Sequence, residues 1–207
     1  MPSVSRRFFF PADRERRSAL KRSFVDTLPV MMGYVTMGLA AGVLFAAKVD
    51  LPLVPLYSAV LAASCLSGTL SFAIVPPLAA GAPVGEIALL ALAVNFRYAF
   101  YGIPMIERWR GVGLARKLFL VHTLSDEIFA LNVSCRIKRP ETNLFYCTAN
   151  GVMCLCYWVA GSTAGAVAGK TLPFRSDGID FAMAALFIVV FIDQIRSFAS
   201  SSLRRRS

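Results

Sequence analysis

The sequence predicts an all-α integral membrane protein, a polytopic bundle of about six transmembrane helices whose second segment reads as broken or re-entrant. Composition comes first. Of 207 residues, 57% are hydrophobic and 16% charged, with a mean hydropathy of +0.61, where a soluble domain carries about 25% charged residues. The length is the second observation, since about 20 apolar residues per crossing leave room for roughly six spans. The third is the distribution of basic residues. They crowd the ends, with seven Lys/Arg in residues 1–23 and Arg204-Arg205-Arg206 at the C-terminus.

Six apolar runs follow one another near 27–47, 53–79, 85–106, 114–135, 144–169 and 179–197. The first carries Gly33, Gly38 and Gly42, and the last two form a small-xxx-small pair suited to close helix packing. The second is the least regular. Ala62-Ala63-Ser64-Cys65-Leu66-Ser67-Gly68-Thr69-Leu70-Ser71-Phe72 is rich in small and hydroxylated residues, and Pro76-Pro77 follows. Such a segment either packs tightly or unwinds, and unwinding would let groups around Gly68 and Ser71 contact a substrate. The third run contains Arg97 and the fourth Asp126-Glu127, the fifth holds three cysteines, and the sixth ends near Asp193-Gln194. Short connections rich in breakers or charges leave no place for a soluble domain. The expected organisation is a basic cytosolic tail over 1–23, a transmembrane transporter domain over 24–198 and a basic tail over 199–207. Ser5-Arg6-Arg7-Phe8-Phe9-Phe10 resembles a twin-arginine export signal, but Pro11 to Arg17 replaces the apolar stretch that such a signal requires.

Basic residues orient the bundle. With six crossings and the N-terminus in the cytoplasm, fourteen Lys/Arg fall inside and seven outside, so both termini are expected to be cytoplasmic. A re-entrant 53–79 segment gives a weaker bias. The basic tails read as partners of an anionic lipid surface rather than of nucleic acid.

A guanidinium or carboxylate at membrane depth costs at least a few kcal/mol, so such residues mark a site by default. Arg97 lies about twelve residues into the third span and Asp126 about as far into the fourth, counted from the opposite side. At about 1.5 Å per residue both sit near the midplane. Two readings follow. The pair either locks two helices structurally, or Arg97 receives a substrate carboxylate while Asp126 or Glu127 titrates during a cycle. Arg97 and Tyr101 share a helix face, as do Asn95 and Tyr98. This makes Arg97, Asn95, Tyr101, Ser71 and Gly68 the substrate-binding candidates, with Asp126 and Glu127 as coupling residues or ion-pair partners. His122, four residues before Asp126, could pass protons to it if both lie on one helix, although a lone helical His is more often a hydrogen-bonded residue.

Enzymatic motifs are missing. The chain has no His-Glu-x-x-His pair, no Gly-x-Ser-x-Gly elbow and no Walker loop, so no enzyme activity, catalytic residue or cofactor is expected. Cys147, Cys154 and Cys156 on one helix, with one His in the whole chain, do not form a metal site, and no metal is expected.

Four blocks in order carry a family resemblance. They are Gly33-Tyr34 with Gly38-Leu39-Ala40-Ala41-Gly42-Val43-Leu44, Asn95-Phe96-Arg97-Tyr98 with Tyr101-Gly102, Asp126-Glu127-Ile128-Phe129-Ala130-Leu131, and Asp180-Phe181-Ala182 through Ala185-Leu186-Phe187. Together, over roughly residues 24–198, they resemble the AzlC-type branched-chain amino-acid permeases. The resemblance implies the large subunit of a two-component exporter of leucine, isoleucine and valine in a bacterial inner membrane. It further implies a small multi-helix partner subunit and coupling to the proton gradient. The chain departs from the family pattern at Tyr98, where His is commoner, and near Ser71, where Gln is common. The competing readings are a membrane assembly subunit whose charges are structural, and a transporter of other small amino acids.

Overall fold

The computed structural model describes residues 13–171, and all its regular elements there are helices. The expected span at 179–197, with the Asp180 block, lies outside the described residues, as do residues 1–12 of the N-terminal tail and the whole C-terminal tail over 199–207. Nine helices are described: α1 (Asp13–Lys48), α2 (Val54–Ser64), α3 (Gly68–Ala73), α4 (Val75–Ala79), α5 (Val84–Asn95), α6 (Arg97–Arg108), α7 (Leu114–His122), α8 (Asp126–Ser134) and α9 (Pro140–Thr171).

Among the described residues, only α1 and α9 are single helices long and apolar enough to cross a bilayer, and α5 with α6 makes a third span if a 53° bend is allowed. The all-helical class is therefore met, while the expected count of about six spans is not confirmed. The first and fifth runs are unbroken helices, while the second, third and fourth are interrupted. An 11-residue helix such as α2 covers about 16 Å, half of a ~30 Å hydrocarbon core.

Each interruption has a local cause. After α2 the chain turns at Cys65–Ser67, and the Ser67 hydroxyl accepts the Leu70 N–H at 3.3 Å to start α3. Pro76 and Pro77 cannot donate to a continuing ladder, so α4 begins afresh with prolines in its first turn. At Phe96 the tight Ala99 N–H to Phe96 carbonyl bond of 3.1 Å replaces regular α-helical pairing. In the fourth run the Thr123 hydroxyl bonds back to the Phe119 carbonyl at 3.0 Å, closing α7. Ser125 then accepts the Ile128 N–H at 3.3 Å and opens α8.

The rigid centre is the α1–α9 pair. Its contact is lined by Gly38 and Gly42 on α1 and by Gly161, Gly165 and Gly169 on α9. A Cβ on Gly38 would lie 3.0 Å from the Ser162 nitrogen, and one on Gly161 would lie 2.9 Å from the Val35 carbonyl. At Gly42 it would fall on the Ser162 carbonyl oxygen, and at Gly165 on that of Leu39. The backbones approach so closely that only hydrogen fits between them. A buried polar chain adds a second tie, from the Ser23 hydroxyl to Asn150 Oδ1 at 2.6 Å and from Asn150 Nδ2 to Asn132 Oδ1 at 3.1 Å. It links α1, α9 and α8, and Arg108 of α6 joins it by donating to the Asn132 carbonyl. An apolar cluster around Trp109, Leu120, Tyr146 and Cys147 seats α6 and α7 against the same pair.

The two long helices run parallel. Arg139 at the start of α9 meets Glu15 near the start of α1, and Lys170 at the end of α9 lies 3.4 Å from Asp50, just past the end of α1. If both span the membrane in the same direction, an odd number of crossings must separate them. A re-entrant second segment with the third and fourth runs both crossing gives an even number and is incompatible with this arrangement.

Candidate functional site

The three interruptions position the charged residues. Arg97 is the first residue of α6, Asp126 the first of α8, and Thr69 lies in the first turn of α3. Arg97 Nη1 pairs with Asp126 Oδ2 at 3.0 Å. Arg97 Nη2 lies 3.5 Å from the Thr69 hydroxyl and 3.4 Å from that of Tyr98, and the guanidinium sits 5.1 Å from the centre of the Tyr98 ring. Tyr101, one turn along α6, is close enough to interact with Asp126 and stacks on Phe129 of α8 with ring centres 4.8 Å apart. One guanidinium thus ties together the restart points of three broken segments.

The pair is incompletely satisfied. Arg97 Nε, Asp126 Oδ1 and the Asn95 Oδ1 at the end of α5 are buried atoms without a hydrogen-bond partner. One donor and one acceptor of the pair are thus unused, in side chains about one-third exposed, at 34% for Arg97 and 38% for Asp126, and Asn95 Oδ1 is a further unused acceptor two residues before Arg97. Unpaired buried polar atoms are uncommon in folded proteins.

Glu127 takes a different direction from Asp126. The buried Tyr34 hydroxyl of α1 lies 2.9 Å from Glu127 Oε2 and 2.6 Å from the Ser125 hydroxyl, and the Tyr34 ring meets Trp158 edge-on at 5.7 Å. Of the remaining candidates, Gly68 sits beside Thr69, where an added Cβ would meet Met37 Cε at 3.1 Å and Trp158 Cη2 at 3.7 Å. Ser71 faces another cavity, lined by Ala41, Phe45, Ser58, Ala62, Val75 and Ser162 among others. It is not among the groups that Arg97 touches.

The premise that His122 and Asp126 share a helix fails, because the chain breaks between α7 and α8. His122 Nε2 instead meets the Ala63 carbonyl of α2 at 2.8 Å. The five cysteines are free, and no cluster of metal-ligating side chains occurs among the described residues. Sequence reasoning missed Thr69, Tyr34 and Ser125. A signal for Ser125 was present, since Ser followed by Asp-Glu is the pattern of an N-cap with an acidic first turn.

Fold and site together define a helical membrane protein whose interrupted spans gather a charged cluster beside a rigid two-helix centre. The chain belongs to the AzlC protein family, whose model matches residues 29–172. It is 30% identical to the branched-chain amino acid transport protein AzlC of Bacillus subtilis (strain 168), over 86% of this chain and 68% of that protein. An uncharacterized membrane protein of Haemophilus influenzae is 32% identical over 84% of this chain and 70% of its own length. The inner membrane protein YgaZ of Escherichia coli is 25% identical over 87% and 72%. No solved structure matches the chain.

Proposed function

We propose that this chain is the large subunit of an exporter of branched-chain amino acids in a bacterial inner membrane, and that Arg97 and Asp126 form its substrate site. Amino-acid transport is supported by membership of the AzlC family and by the similarity to the branched-chain amino acid transport protein of Bacillus subtilis. Outward direction, coupling to the proton gradient, the inner membrane with cytoplasmic termini, and a small multi-helix partner subunit belong to the same reading and rest on the family resemblance and the charge distribution.

One observation carries the site. The unused donor on Arg97 and the unused acceptors on Asp126 and Asn95 are complementary to an α-amino acid, which brings a carboxylate acceptor and an ammonium donor. The substrate carboxylate takes Arg97, its ammonium takes Asp126 and Asn95, and the aromatic rings of Tyr98, Tyr101 and Phe129 lie alongside for an apolar side chain. Binding then exchanges one ion pair for two and loosens the direct tie between α6 and α8. A purely structural pair predicts different behaviour. A pair that only locks two helices can be replaced by two neutral side chains with little loss of stability, so neutralising both partners should then be tolerated.

Counterflow of labelled leucine or valine in proteoliposomes, with the partner subunit present, tests this. Arg97→Ala and Asp126→Asn should each lower transport by at least tenfold. Arg97→Lys should recover only part of it, because the forked donor is lost while the charge stays. The Arg97→Ala/Asp126→Ala double variant should insert and fold yet remain inactive. Normal transport by that double variant would establish the pair as a helix lock only.

A further inference from the structure

The joint between α2, α3 and α9 holds two hydroxyls that, among the described residues, are buried without a hydrogen-bond partner. Ser64, Ser134, Thr148 and Thr163 each bond back to the carbonyl four residues earlier at 2.7 Å, the usual refuge of a hydroxyl in an apolar setting. Ser71 and Ser162 do not. Both are buried, and the hydroxyl oxygen of each has no partner. Both line the same small cavity, and a third buried hydroxyl, Ser58 on α2, lines it too while donating to the Ser162 carbonyl at 3.1 Å. Three serines from three helices therefore face one space beside the break of the second segment.

The size of that space decides what it can hold. It measures about 10 Å³, close to the least volume that accommodates one water, and a buried water requires about two to four polar partners. An amino acid does not fit. A sodium ion would meet only neutral hydroxyls, since no carboxylate lines the cavity, and a desolvated cation without a counter-charge is strongly disfavoured. We infer that the cavity binds a single structural water, accepting from Ser71 and Ser162 and donating to the free lone pair of Ser58. The water joins the two halves of the broken segment to the rigid α1–α9 pair through a replaceable bridge. It gives Ser71 a task separate from the Arg97 cluster, and it stands whether or not that cluster binds substrate.

Radiolytic hydroxyl-radical footprinting of the full chain in detergent or nanodiscs tests the inference, because a trapped water ionised in place oxidises the side chain beside it. Phe45 lines the cavity and Phe72 does not, although both are 3% exposed. Phe45 should be oxidised severalfold faster than Phe72, and the Ser71→Ala/Ser162→Ala variant should lose that excess. Equal rates in the unmodified protein would show a dry cavity and overturn the proposal without any variant. Thermal unfolding midpoints in sodium chloride and choline chloride should agree. A sodium-specific rise that disappears in the double variant would make the occupant a cation and overturn it as well.

Discussion

Asp126 and Glu127 are covalent neighbours, yet the first turn of α8 sends one to Arg97 and the other to Tyr34. Successive residues on a helix are about 100° apart, so two adjacent carboxylates serve two different contacts. The Tyr34 contact is the more enclosed, and the hydroxyl bridges α1 to α8 through both Ser125 and Glu127. Tyr34→Phe keeps the ring against Trp158 and removes only the bridge. It should destabilise the protein by about 1–3 kcal/mol, the cost of a polar group that loses its buried partner. Unfolding by graded denaturant in mixed micelles measures this, and an unchanged midpoint would show that the bridge carries no weight. Depth counting placed Arg97 and Asp126 at a similar level, and the 3.0 Å ion pair joins them. The involvement of Tyr34 was not, because nothing in an apolar run marks which tyrosine turns inward.

At the scale of elements, α1 and α9 show where pattern reading works. Gly38 and Gly42 stand out as a packing pair, and Gly161, Gly165 and Gly169 repeat the same spacing on α9. Only the first pair was read from the sequence; the close approach of the backbones marks the second stripe as its partner. Gly42→Ala and Gly165→Ala place a methyl on a facing carbonyl, and should cost about 1–3 kcal/mol or more by forcing the helices apart. Gly33→Ala and Gly85→Ala, where nothing lies within 4 Å, should leave the unfolding midpoint unchanged or raise it slightly, since alanine is the better helix former by about 0.5–1 kcal/mol. Thermal denaturation of the four variants side by side separates close approach from generic loss of glycine. The interrupted segments were less legible. The second announced itself through Ser67-Gly68 and the double proline, whereas 114–135 reads as one apolar run. Its break depends on the Ser125 cap, a single hydroxyl that hydropathy ignores.

For the whole molecule, the parallel course of α1 and α9 sets the topology. Charge counting favoured the N-terminus and the 136–139 cluster on one side, and the Glu15–Arg139 pair holds those two ends together. Single cysteines at 138 and at 50 or 170, in a background lacking the native five, should react with a membrane-impermeant maleimide from opposite sides. Positions 50 and 170 should label from the same side. Labelling of 138 and 170 from one side would mean that α9 does not cross.

Sequence by itself determined the membrane class, the apolar runs, the basic bias and the presence of costly charges at Arg97 and Asp126. These are properties of composition and one-dimensional spacing, which the transfer of side chains out of water fixes directly. Tertiary structure decided where the runs break and which atoms meet. It separated Asp126 from Glu127, moved His122 to the Ala63 carbonyl, and turned Ser71 away from the charged cluster toward its own cavity. Those outcomes depend on single caps and on angstrom-scale approach between segments distant in the chain. Periodicity carries no record of either.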